Sequence, residues 1–269
     1  MRQEAPLSFP SKTAYGSAEG CVVWQGECAN DGGELTAFMQ EAVAARLHDT
    51  GGSEELHEHL RGLSLTGMGQ ETLKEVLAAE IPETRDWAGG EALAEAVLEA
   101  HHEVELPWNN ERDKRNPFAS LPGADIVGFQ RDGDSYRLAL GEVKCSSERK
   151  WPPQVMYGRS GMIHQLENLA NDLGTVYQLL RWLLPRVKGT SYQAAFNTAC
   201  TRYFNSGKSD LVLFGILVRD QKPQDADLRA RGQNLADKLA APTRCCLIAL
   251  YLPWPIAQLP QIIGQGGES

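Results

Sequence analysis

Two apolar stretches and the turn between them constrain this chain more than anything else in it. The first is Gly123-Ala124-Asp125-Ile126-Val127-Gly128, continuing to Phe129. The second is Leu138-Ala139-Leu140-Gly141-Glu142-Val143-Lys144. Between them lies Arg131-Asp132-Gly133-Asp134. An Asp-Gly pair between apolar runs favours a tight β-turn, so residues 124–129 and 136–144 read as a hairpin. Strand side chains alternate faces with a period of two. Glu142 and Lys144 therefore share a face with Leu138 and Leu140, and Val143 and Cys145 point to the other, which makes Cys145 a core residue. The hairpin sets Asp125 on the neighbouring strand, within reach of Glu142. Burying charge at the end of an apolar strand is costly unless the charges have partners or a metal.

That arrangement suits phosphodiester hydrolysis. Two carboxylates on adjacent strands hold a hard divalent cation through oxygen. Such a cation polarises a phosphate and lowers the pKa of a bound water. A lysine beside it orients the water or offsets charge developing in the transition state.

Asp125 followed by Glu142-Val143-Lys144 on the next strand resembles the PD-(D/E)xK nuclease superfamily, with Gly-Ala-Asp standing where Pro-Asp is common. The resemblance covers residues 90–185. It implies an αβββαβ core of the restriction-endonuclease type, Mg²⁺ or Mn²⁺ as cofactor, and DNA as substrate. It also implies a glutamate on the preceding helix. Glu91 matches that position and Glu95 is one turn on. A polar residue from the following helix is sometimes added, and Gln165 takes that place. Asp125, Glu142 and Glu91 are thus the expected metal ligands, and Lys144 the residue that positions the nucleophile. More narrowly, the layout is similar to nuclease subunits of bacterial anti-phage systems such as Hachiman, which work with a helicase.

The rest of the chain supplies helices and further strands. Apolar spacing predicts helices over 34–48, 53–61 (Ser53 as N-cap, Gly62 as stop), 70–80, 90–100, 162–184 and 225–239. Strands are expected near 21–24, 104–106, 210–218 and 244–252. The order implies an α/β chain with a mixed sheet flanked by helices. It divides into a helical, acidic region over 1–86 and a nuclease-like domain over 87–269.

Charge supports that division. The net is −9, yet residues 1–110 hold 6 Lys/Arg against 20 Asp/Glu, a net of −14, and the remainder is mildly basic. Basic groups include Arg112, Lys114 and Arg115. An acidic face repels phosphate, so this region is expected to hold a protein partner, a helicase or ATPase, or to be a solvated surface. Arg149, Lys150 and Arg159, with Trp151 and Tyr157, follow the Glu142 strand and are candidate DNA contacts. The six cysteines form no CxxC pair and no zinc spacing, and no apolar run spans a membrane. A reducing cytoplasmic setting is expected.

Other residues are read as structural. His101 and His102 cap a helix end or face solvent, and His164 is a surface residue. Ser206-Gly207-Lys208-Ser209 lacks the spacing of a phosphate loop. The alternative to catalysis is a latent or non-catalytic nuclease-fold subunit serving as a DNA-binding or assembly module.

Overall fold

The computed structural model describes residues 7–78, 86–113 and 123–264. It is an α/β protein built on one seven-stranded mixed sheet with helices on both faces. In chain order the elements are β1 (Ser11–Glu19), β2 (Val22–Ala29), and a helix over 33–47, α1, whose middle turn Met39–Val43 widens to π geometry. Then come α2 (Thr50–Leu63), α3 (Gly67–Ala78), α4 (Asp86–His101), β3 (Val104–Glu105) and α5 (Asn110–Asp113). The hairpin β4 (Ile126–Asp132) and β5 (Ser135–Ser146) follows, then α6 (Met162–Asn171), α7 (Leu173–Val187) and α8 (Gln193–Asn205). The chain closes with β6 (Leu211–Arg219), α9 (Arg229–Ala236), β7 (Arg244–Tyr251) and α10 (Leu259–Gly264).

The strand order is β1-β2-β7-β6-β5-β4-β3. The pairs β5/β6, β6/β7 and β7/β2 are parallel, and the pairs nearer either edge are antiparallel. Parallel strands need crossovers, which place helices on the faces. Strand β6 is accordingly buried at every position, and its sequence is apolar from Leu211 to Val218. One face packs on α1, α4 and α10 through Ala139, Val143, Phe214 and Ile216. The other packs on α6 to α9 through Leu138, Leu140, Leu213 and Leu247. Helix α4 is buried continuously from Ala92 to Leu98 because it lies between the sheet and α1.

Several elements differ from the sequence reading. The single strand expected near Trp24 is a two-stranded hairpin, and β2 joins the main sheet beside β7. Residues 11–29 thus belong to the sheet, and helical character begins at α1. Helix α2 starts a turn before Ser53, whose N–H already bonds the Asp49 carbonyl, and it runs through Gly62. The expected helix over 162–184 is two helices. Asp172 ends α6 and caps α7, accepting from the Gly174 N–H at 2.9 Å and the Thr175 hydroxyl at 2.7 Å. The stretch 225–239 holds a 3₁₀ turn (Asp225–Asp227) before α9. Residues 79–85, which include the end of the expected helix over 70–80, lie outside the described residues, as do Lys114 and Arg115. No described helix is long and apolar enough to cross a membrane.

Candidate active site

Asp125 sits at the residue before β4. Its N–H donates to the Gly141 carbonyl at 3.0 Å, and its carboxylate accepts the Val143 N–H at 2.9 Å. Ile126 pairs with Gly141 in the antiparallel register, so Asp125 stands opposite Glu142. Glu142 is 3% exposed and shares the face of Leu138 and Leu140, as the alternation requires. Two residues on, the Lys144 Nζ lies 2.5 Å from Glu142 Oε1.

Two glycines set the walls around this pair. Gly215 is the β6 register partner of Glu142. A Cβ there would come within 2.6 Å of Leu247 and 2.9 Å of both Leu166 and Met162. The missing side chain lets α6 sit directly on β6 at the level of Glu142, which delivers Gln165. On the opposite face, a Cβ at Gly90 would collide with the Cys145 sulfur. The bare backbone there brings α4 against the end of β5 and delivers Glu91. Cys145 packs on the core as expected, and it also contributes to the wall of the cleft.

The result is a cleft of about 440 Å³ at the sheet end, lined by Trp87, Glu91, Asp125, Glu142, Lys144 and Gln165 among others. Five of these were candidates from sequence. Trp87 was not; the signal available was its position one turn before Glu91, which puts both on one helix face.

Burial pushes the Glu142 carboxyl well above the usual carboxylate range. The neighbouring Asp125 charge pushes the same way, and Lys144 only partly opposes it. Two adjoining carboxyls raise each other's proton affinity, and a bound cation would relieve that. Gln165 adds a buried side-chain oxygen with no hydrogen-bond partner among the described residues. Two adjoining carboxylates and an unpartnered amide oxygen are hard donors of the kind that Mg²⁺ or Mn²⁺ takes. Among the described residues, however, no three or more His, Cys, Asp or Glu side chains gather as a metal set. Glu91 lines the same cleft as Asp125 and Glu142.

Glu95 is engaged elsewhere. It is fully buried and pairs with Arg46 of α1, Oε2 to Nε 2.8 Å. The same guanidinium donates to the Trp108 carbonyl at 2.6 Å. Glu95 thus locks α4 to α1 and is no substitute for Glu91.

Arg149, Lys150 and Arg159 do not line the cleft. They stand exposed on the connector that leaves β5 at the site end. The Lys150 ammonium lies 5.4 Å from the Tyr157 ring centroid, and Arg231 lies 5.0 Å from the same ring. The histidines are structural or exposed: His101 Nε2 accepts the Phe9 N–H at 2.9 Å, His102 packs edge-on against Phe214, and His164 faces solvent. Ser206 to Ser209 form the turn after α8, where the Ser206 hydroxyl accepts the N–H groups of Ser209 and Asp210.

No protein-family model matches the chain, and no curated protein matches it in sequence.

Proposed function

We propose that this chain is a metal-dependent nuclease of the PD-(D/E)xK type that cuts DNA. One observation carries the reading: Asp125, Glu142 and Lys144 meet in one cleft at the end of β5, with Glu142 buried against a like charge. A restriction-endonuclease-like core is part of the proposal. The order α4, β3, β4, β5, α6 with β6 beyond is consistent with an αβββαβ arrangement.

In this reading Asp125 and Glu142 hold Mg²⁺ or Mn²⁺, with Gln165 and Glu91 on the flanks. The bound cation supplies polarisation of the phosphate and a more acidic water. The Val143 N–H fixes the Asp125 carboxylate, so that ligand does not reorganise when it is engaged. Lys144 reaches Glu142 from the same strand face, and its ammonium orients the attacking water and offsets charge on the phosphate.

The acidic N-terminal region fits a protein partner better than DNA. The chain holds no ATPase motif, so any helicase step comes from another polypeptide, as it would in an anti-phage complex. A second reading is a latent nuclease-fold subunit: among the described residues no three His, Cys, Asp or Glu side chains gather as a ligand set. The decisive experiment is Glu142→Ala with Lys144→Ala in one folded protein. Loss of magnesium-dependent DNA cleavage is expected. Cleavage equal to wild type refutes the assignment, and a wild type inert at every metal concentration, with or without a co-expressed partner, favours the latent subunit.

A further inference from the structure

The cleft itself offers a polyanion little to hold. Glu91, Asp125 and Glu142 line it, and Lys144 is already paired to Glu142. Carboxylates repel phosphate, so attraction along a phosphodiester chain has to come largely from cations outside the cleft. The connector over 147–161 supplies them. It leaves β5 three residues after Lys144 and enters α6 four residues before Gln165, so it joins two walls of the cleft. It carries Arg149, Lys150 and Arg159, all exposed, against one acid, Glu148. The Glu148 carboxylate accepts the Gln154 N–H at 2.7 Å. Among the described residues, no carboxylate stands within ion-pair distance of Arg149, Lys150 or Arg159.

The connector is anchored at both ends. Arg219, fully buried at the end of β6, donates to the Ser146 carbonyl at 2.8 Å and to the Lys150 carbonyl at 3.0 Å. At the other end, a Cβ on Gly161 would fall 2.4 Å from the Tyr157 carbonyl, so the backbone folds tightly onto the head of α6. There the Gly161 carbonyl accepts the Gln165 N–H. Between these anchors Tyr157 gathers two cations on one ring, Lys150 at 5.4 Å and Arg231 of α9 at 5.0 Å from its centroid. Arg231 is unlike its neighbours. Arg229 pairs with Asp225 at 2.5 Å, and Lys238, just past the helix, pairs with Glu167 at 2.6 Å. Arg231 has no such carboxylate among the described residues, and its Nε is buried there without an acceptor. Like charges held this close repel, and an anion between them relieves the repulsion through charge-assisted hydrogen bonds.

We infer that Arg149, Lys150, Arg159 and Arg231 form one surface beside the cleft for the phosphate backbone of a nucleic acid, with Arg231 the member contributed by α9. The inference rests on the nuclease reading and says where the phosphates flanking the cut are held. Contacts of this kind fix the register of the chain on the cleft and carry no base preference.

The test measures binding of a fluorescein-labelled DNA duplex by fluorescence polarisation in EDTA across a range of KCl, with cleavage in magnesium followed in parallel. Arg231→Gln is expected to weaken binding by about fivefold and to lower the slope of log affinity against log salt by about one. Arg231→Lys keeps the charge and is expected to bind like wild type. Arg229→Gln removes a charge that Asp225 already answers and is expected to change little. The triple variant Arg149→Gln, Lys150→Gln, Arg159→Gln is expected to lower the slope by about three. Arg231→Gln with wild-type affinity and salt slope overturns the surface, and if the wild type still cleaves DNA the nuclease reading survives. Equal losses in Arg229→Gln and Arg231→Gln also overturn it, because net charge alone then explains the effect. So does a loss in Arg231→Lys as large as in Arg231→Gln, which marks a structural role. Variants that bind DNA like wild type but lose binding to phosphatidylserine vesicles overturn it in favour of a membrane surface. If the expected losses are seen in a protein that cleaves no DNA, the surface stands and the catalytic reading falls.

Discussion

Replacing Glu95 by alanine separates the structural glutamate of α4 from the cleft glutamate. The Arg46 side chain is 10% exposed and that of Glu95 is 0% exposed, with Nε to Oε2 at 2.8 Å. Removing the carboxylate leaves a buried guanidinium with two backbone carbonyls and the half-exposed Glu99 at 3.6 Å. Breaking one side of a buried ion pair costs about 3–5 kcal/mol. Glu99 and the Trp108 carbonyl offset part of this, so the expected loss is about 3 kcal/mol. For a chain of this size each kcal/mol lowers Tm by about 2–4 °C, which gives a drop of about 6–12 °C. The assay is thermal melting by circular dichroism, supported by urea titration. Glu91→Gln, at the cleft wall, should lower cleavage. Glu95→Leu with Arg46→Met should recover most of the loss, because apolar replacement of both partners removes the stranded charge. A Glu95→Ala protein within about 1 kcal/mol of wild type would refute the claim that this pair anchors α4.

Three further outcomes follow from the same geometry. Magnesium at a hundredfold excess over its Kd should stabilise wild type by about 2.7 kcal/mol and leave Asp125→Asn with Glu142→Gln unmoved, as read by melting in magnesium against EDTA. Gly215→Ala should destabilise by about 1–3 kcal/mol and reduce cleavage, because the new methyl group pushes α6 and Gln165 away from Glu142; a stable and fully active variant refutes the close approach. Burial holds the His102 imidazole neutral and lowers its pKa to about 4. The unfolded chain takes up that proton near pH 6.5, so this contribution is whole above about pH 6.5 and is lost as pH falls toward 4. His102→Phe should flatten the urea-determined stability across that window by up to about 3 kcal/mol, and an unchanged slope would argue that His102 titrates freely.

The hairpin and its charges were legible because their signal is local: a turn pair, a period of two, and carboxylates that break an apolar run. The parts that were not legible depend on distant partners. The β1–β2 hairpin is drawn into the sheet by β7, more than two hundred residues later. Glu91 and Glu95 look alike on one helix, and Arg46, forty-nine residues upstream, decides between them. Helix α8 packs through Ala195, Ala199, Cys200 and Tyr203, a face made mostly of small residues that gives a weak apolar stripe. The break at Asp172 was hidden because apolar spacing continues on both sides of it, while the cap that divides the helices is one side chain.

The molecule itself provides the control for reading Asp125 and Glu142 as functional. Elsewhere several partly or fully buried carboxylates meet guanidinium groups: Glu95 meets Arg46, and Asp132 meets Arg202 at 2.7 Å and Arg137 at 3.2 Å. Arg202 and Arg137 hold Asp132 down to about pKa 2. Burial raises the Asp227 carboxyl too, but there the neighbour is the Arg219 guanidinium, whereas Glu142 has a second carboxylate beside it. Lys144 answers only part of the repulsion, and the Glu142 carboxyl stays raised. Local conflict of this kind is what a site waiting for a cation produces, and its cost is carried by the packing around it. The same reasoning reaches the acidic N-terminal side. Helices α2 and α3 bury no residue, and Leu63, Leu65 and Met68 stand 66%, 85% and 80% exposed. Acid and exposed apolar side chains together repel DNA and suit a protein surface. On the proposed reading, cutting and docking would fall on different parts of the chain, the division that a nuclease brought to its substrate by a partner would need.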